Sequence, residues 1–216
     1  MHTVNFDGKS IPVGKIVCIG RNYAEHIKEL GNKNPGEPVI FMKPANTIVA
    51  SGGVINIPAY SKDCHHETEL AVLIGKEAKD VDVDEAMAHV MGYGVALDLT
   101  LRDVQSTQKE KGLPWEIAKA FDTSCPLSAF VPAERVSDPQ NLQIMLTVNG
   151  QLRQDGNTSD MMRTIAELIA SASSYFTLEV GDVLLTGTPA GVGRICSGDR
   201  LEATIEQIGT LKVSVA

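Results

Sequence analysis

The chain is predicted to be an α+β protein, mostly β, wound into a roll. Three observations point there. Apolar, β-branched runs of strand length recur along the 216 residues, broken by Gly, Pro and Asn. Asn149-Gly150, set between the apolar run 142–148 and residues 151–154, is a strong hairpin signal. Helical periodicity is confined to short stretches, chiefly Ile165–Tyr175, where Ile165, Leu168, Ile169 and Ala172 share one face.

The elements follow in order. Residues 1–14 read as an N-terminal arm with turns at Asp7-Gly8 and from Pro12 to Gly14. Residues 15–19 form a short strand ending at Gly20. Residues 22–30 have helical composition, and Gly31-Asn32 ends the helix. A polar loop, 33–38, leads to the extended run 39–42, which Pro44 keeps from becoming helical. Residues 47–57 alternate around Gly52-Gly53, as a hairpin would. Thr68–Ile74 is a strand closed by Gly75. Asp82 to Glu85 offers a capping pattern for a helix reaching about His89. An apolar strand, 90–99, ends at Asp98, and a polar helix, 100–111, is closed by Gly112 with Pro114 beyond. A buried strand at 183–186 precedes a glycine-rich loop, 187–193, that lacks the Gly-Lys-Ser/Thr of a phosphate-binding loop. Gly92 and Gly94 make only half of a dinucleotide fingerprint, and no helix opens there. Strands at 200–206 and 210–215 finish the chain.

Composition excludes several classes. The net charge of −8 and the lack of a basic run argue against nucleic-acid and anionic-membrane partners. No apolar run is long enough to span a bilayer, and the first residues show no basic stretch followed by an apolar core. Cys18, Cys64, Cys125 and Cys196 are far apart, which fits a reduced, cytoplasmic setting. Cys64 has no evident local base or helix N-terminus, so it reads as a free thiol and not a nucleophile.

The residues that carry chemistry begin at Glu67 and Glu69. On a strand they share a face with Ala71 and Leu73, about 7 Å apart along the backbone. The spacing is also that of a solvated strand end. A third carboxylate, Asp98, ends the next apolar strand, and three oxygen ligands on neighbouring strands select a hard cation: Mg²⁺, Mn²⁺ or Ca²⁺. His65 and His66 point opposite ways, so at most one could join; a packing role suits them better. His26 and Glu29 lie one helical turn apart, so the carboxylate could fix the imidazole as a general base, or the two could form an exposed ion pair. Arg102 and Gln105 share a helix face and could bind a carboxylate. Lys119, in an apolar setting, either snorkels or supplies a functional cation. Trp115 reads as core or a pocket wall.

The order Ile19-Gly20-Arg21-Asn22-Tyr23-Ala24-x-His26, His66-Glu67-x-Glu69, Asp98-x-x-x-Arg102-Asp103-x-Gln105, Gly112-Leu113-Pro114-Trp115, Ala118-Lys119-x-Phe121-Asp122 and Thr186-Gly187-Thr188-Pro189-x-Gly191 closely resembles the fumarylacetoacetate hydrolase family. The nearest branch is that of the short acylpyruvases and oxaloacetate decarboxylases. The resemblance implies a catalytic domain at 15–216 with the family's mixed β-roll, and a homodimer. It implies that Glu67, Glu69 and Asp98 hold Mg²⁺ or Mn²⁺. It makes His26 and Glu29 the catalytic pair on a lid, and it directs Lys119 to a small-molecule 2-oxo acid, with Arg21, Arg102, Gln105 and Thr188 as substrate contacts. Hydrolysis of the C–C bond of an acylpyruvate ranks first, because a His–Glu pair suits water activation. Decarboxylation or tautomerisation of oxaloacetate comes next, then isomerisation of a hydroxymuconate-type dienoate. A dicarboxylate-binding protein without turnover is the non-enzymatic alternative, and the His26–Glu29 pair counts against it.

Overall fold

The computed structural model describes residues 2–34 and 36–216. Its frame is a curled, mixed, eight-stranded sheet. Along the sheet run Val39–Pro44, Lys15–Gly20, Val183–Leu185, Thr68–Ile74, Val90–Leu97, Cys125–Leu127 and Ile48–Ala50, with Val131–Pro132 paired to Val90–Leu97. Lys15–Gly20 and Val183–Leu185 run parallel, while Thr68–Ile74 is antiparallel to both of its neighbours. A five-stranded sheet packs nearby, in the order Gln151–Asn157, Gln143–Val148, Arg200–Ile205, Gly209–Val215 and Val54–Ile55.

Strand alternation divides the apolar side chains between two cores. Leu70, Val72 and Ile74 face the larger, with Val95, Leu97, Ile144, Leu146, Leu168 and Ile169. Ala71 and Leu73 face the smaller, with Ile16, Cys18, Ala96 and Cys125. The arm closes that smaller core. It is a hairpin, Thr3–Phe6 with Lys9–Pro12, turned by Asp7 (φ 47) and Gly8 (φ 81), and it buries Val4. The helix Ile165–Tyr175 has the predicted bounds; Thr164 and Glu167 form a reciprocal capping box at its start.

Three local expectations are corrected. Residues 47–57 do not form a hairpin. Ile48–Ala50 runs parallel to Cys125–Leu127, and Val54–Ile55 runs parallel to Gly209–Val215, so the Gly52-Gly53 turn passes the chain from one sheet to the other. Asp82 precedes the helix Val83–Ala86, yet its side chain makes no capping bond. The polar helix starts at Arg102, because Thr100–Leu101 pairs with Cys64–His66. Among the described residues no helix is long and apolar enough to cross a membrane.

Candidate active site

The acid trio comes from strand register. Thr68 pairs with Leu97 and Glu69 with Ala96, and the Asp98 N–H continues the ladder by donating to the Glu67 carbonyl at 2.8 Å. Glu67 and Asp98 are therefore opposite one another, and Glu69 lies one pleat along on the same face. Each offers a carboxylate oxygen, and these oxygens all lie within 4.8 Å of one another. All three side chains are buried, which removes the solvated strand end as an explanation.

Three cations oppose them. Lys119 Nζ reaches Glu67 Oε2 at 2.8 Å and Asp98 Oδ2 at 2.5 Å. Arg102 pairs with Glu67 Oε1 and donates to Gln105 Oε1 at 2.9 Å. Lys43 Nζ lies 3.0 Å from Asp98 Oδ1 and donates to the carbonyls of Leu99 and Lys119. Lys119 is buried and does not snorkel; its ammonium also sits 4.8 Å from the centre of the Phe41 ring. Burial disfavours its charge, but Asp98 and Glu67 override this and raise its pKa.

The electrostatics separate the two glutamates. Burial opposes ionisation of Glu67, yet the Lys119 and Arg102 charges hold its carboxyl well below the usual range. Burial pushes Glu69 well above that range, and the Asp98 and Glu67 charges add to the shift. Asp98 Oδ1 is buried with no hydrogen bond directed at it, despite the nearby Lys43. An all-oxygen set of crowded, buried carboxylates with an unsatisfied oxygen fits a hard divalent cation.

A cavity of about 40 Å³ adjoins the trio. Glu67, Arg21, His26, Arg102, Gln105 and Lys119 line it, with Lys109, Phe41 and Trp115. Trp115 is thus a wall, its ring 6.0 Å from that of Phe41. Arg21 is held with φ 62, a conformation uncommon outside glycine, where the strand Lys15–Gly20 gives way to the His26 helix. Lys109 is a cation that the sequence reading missed, although it continues the face of Arg102 and Gln105 at helical spacing. Burial lowers its pKa, and repulsion from Arg21 and Arg102 lowers it further.

His26 is on the helix Ala24–Glu29 and is buried, so the pair is not an exposed surface bridge. Its Nδ1 lies 3.4 Å from Glu29 Oε2. Glu29 Oε1 accepts from the Gly191 N–H at 3.1 Å, which ties the helix to the glycine-rich loop. Asn22 anchors the other end: its amide donates to the Thr186 and Arg163 carbonyls and accepts from the Arg163 N–H.

The loop itself approaches the acids. Gly187 has φ 99, and a Cβ there would lie 2.9 Å from Asn22 Cβ. Glycine lets the loop close in, so that the Gly187 N–H donates to Glu69 Oε2 at 2.7 Å. Thr188 is buried, and its hydroxyl accepts from Gln154 at 2.8 Å. His66 Nδ1 also meets Gln154, at 3.2 Å, and burial lowers the His66 pKa to about 4. Cys64 is buried and its thiol is pushed up to about 12, which suits a packing role.

Comparison with known proteins places this arrangement. The oxaloacetate tautomerase YcgM of Escherichia coli (strain K12) is 53% identical over 196 residues, covering 90% of this chain and 90% of the other. The mitochondrial oxaloacetate tautomerase FAHD1 of Bos taurus is 48% identical over 200 residues, covering 93% of this chain and 90% of the other. The crystal structure of fumarylpyruvate hydrolase from Pseudomonas aeruginosa, in complex with Mn²⁺ and pyruvate, matches with a TM-score of 0.94 at 37% identity, covering 100% of this chain and 97% of that one. Residues 15–216 match the family model described as Fumarylacetoacetate (FAA) hydrolase C-terminal, and the chain belongs to that family.

Proposed function

We propose that this chain is a metal-dependent oxaloacetate tautomerase, moving a proton between C3 and the 2-oxo oxygen. The carrying observation is the charge of a compact site. Glu67, Glu69 and Asp98 are matched by Lys43, Arg102 and Lys119, so a divalent cation leaves two positive charges in excess. That excess suits a dianionic 2-oxo dicarboxylate. Arg21 and Lys109 on the cavity wall add to the attraction. The tautomerase relatives support the same reading, which moves this reaction ahead of acylpyruvate cleavage.

Each residue has a role. Glu67, Glu69 and Asp98 would hold Mg²⁺ or Mn²⁺, which would supply Lewis-acid stabilisation of charge on the 2-oxo oxygen. Arg21, Arg102 and Gln105 bind carboxylate oxygens. Glu29 keeps a proton on His26 Nδ1 and leaves Nε2 as the base. Nε2 takes the C3 proton, the C–H electron pair becomes the C2–C3 double bond, the C2–O π pair moves onto the 2-oxo oxygen, and the protonated His26 gives its proton to that oxygen. Lys119 places an ammonium beside the developing negative charge. Thr188 contributes a hydroxyl.

Acylpyruvate hydrolysis is the second reading, and the likeness to the fumarylpyruvate hydrolase supports it. There His26 would deprotonate an attacking water. The two are separated by following the ultraviolet absorbance of enol-oxaloacetate and of acetylpyruvate with purified protein and Mg²⁺. Ketonisation well above the protein-free rate, with slower acetylpyruvate cleavage, is the expected result. Rapid cleavage without accelerated ketonisation would overturn the tautomerase reading.

A further inference from the structure

Gln154 lies on the strand Gln151–Asn157, where neighbouring side chains are largely exposed, yet it is fully buried. Its amide orientation is fixed by its partners. The Thr68 N–H, 3.0 Å away, can only donate, so it faces Oε1. The Pro189 carbonyl, 2.9 Å away, can only accept, so it faces Nε2. His66 Nδ1 must then donate to Oε1, and the second amide hydrogen goes to Thr188 Oγ1 at 2.8 Å. Every bond that the amide directs is used.

This has a consequence for Thr188. Its oxygen is an acceptor toward Gln154, so its own proton points elsewhere. Among the described residues the acceptor offered to that proton is the Pro189 carbonyl at 3.5 Å, beyond the ordinary range for a hydroxyl donor, and that carbonyl already takes a Gln154 hydrogen. We propose that Gln154 is a positioning residue: it locks the 187–189 loop and orients the Thr188 hydroxyl as a hydrogen-bond donor to an oxygen of the bound 2-oxo acid. The inference rests on the reading of Thr188 as a substrate contact. It adds the residue that sets the direction of the contact, from a strand of the other sheet.

The test is calorimetric binding of oxalate with saturating Mg²⁺. Thr188→Val is expected to weaken binding about tenfold, the loss of one hydrogen bond to a charged group. Gln154→Glu keeps the acceptors for Thr68 and His66 but lacks both donors, so Thr188 donates to it instead; a similar loss is expected. Gln154→Met removes the donors and the Oε1 acceptor together, without adding charge, and its oxalate binding should agree with that of Gln154→Glu. In a Thr188→Val background either Gln154 change should cost less than about twofold, because both act on one bond. Mg²⁺ affinity without oxalate should stay within about twofold throughout. In the wild type the Gln154 side-chain amide resonances should be protected from exchange and should shift when oxalate binds. Normal binding by Thr188→Val would overturn the substrate contact and the inference together. A weakened Thr188→Val with normal Gln154 variants, losses that multiply in the double variants, or unmoved Gln154 resonances would overturn the inference alone.

Discussion

Glu67, Glu69 and Asp98 stand on or beside strands bonded on both edges, whereas His26 and Glu29 stand on a helix of six residues. The acids are positioned by backbone register inside two apolar cores. The helix is tied down by side chains, chiefly Asn22 at one end and Glu29 at the other. Ile27 and His26 pack inward, so the segment is better seated than its polar sequence implies, but Gly31, Lys33 and Asn34 just after it are exposed. The half proposed to hold the ion is thus preformed, and the half proposed to move the proton is the part with local freedom.

The largest expected effect breaks the preformed half. Glu69→Ala should abolish metal binding and cut turnover by about 10³-fold or more, since a catalytic cation supplies several kcal/mol of transition-state stabilisation. A chelator should mimic it, and Mg²⁺ or Mn²⁺ should restore the wild type alone. Full activity of metal-free protein would sink the assignment.

Next come the cations between the halves. Lys119→Met should lower kcat about 10²-fold with metal still bound, as loss of one preorganised charge does at an oxyanion. Arg102→Ala should mainly raise KM, roughly 10- to 100-fold, if it anchors a carboxylate. Unchanged kinetics in both would contradict their proposed roles toward the substrate.

Amide exchange sharpens the comparison directly. Residues 22–34 should exchange faster than Thr68–Ile74, and oxalate with Mg²⁺ should slow the former but not the latter. Equal protection with and without oxalate would show that the helix does not respond to ligand.

The smallest effect is on stability against pH. Glu69 has a raised pKa in the folded, metal-free protein, so folding holds a proton that the unfolded chain releases. Metal-free stability should fall as pH rises above the ordinary carboxylate range and through the raised value. Bound Mg²⁺ or Mn²⁺ should flatten that fall, and binding should release a proton. Thermal melts with and without metal, over a pH series, check it. A metal-free protein whose stability rises across that window would show that Glu69 is ionised without the cation.

Much of this was legible in the sequence because it depends on short-range periodicity. Period-two alternation gave the Glu67–Glu69 face, and the helix turn gave Arg102 with Gln105. Lys43 lies just past the apolar run 39–42 and within the strand Val39–Pro44, where a lysine inside an apolar strand is itself a signal. Gln154 gave no signal: its neighbours are polar, and its burial follows from a contact between two sheets. The 47–57 hairpin failed for the same reason. Alternation shows that two segments are strands but not which partners they take, and here each pairs in parallel with a distant strand.

The division of labour itself is tested most directly on His26→Ala. Loss of C3 protons from oxaloacetate into deuterated buffer can be followed by NMR, with Mn²⁺ affinity measured on the same samples. The expected result is exchange slowed about 10²–10⁴-fold, the usual contribution of a general base, with wild-type metal affinity. Exchange at the wild-type rate, or loss of metal together with loss of exchange, would contradict it.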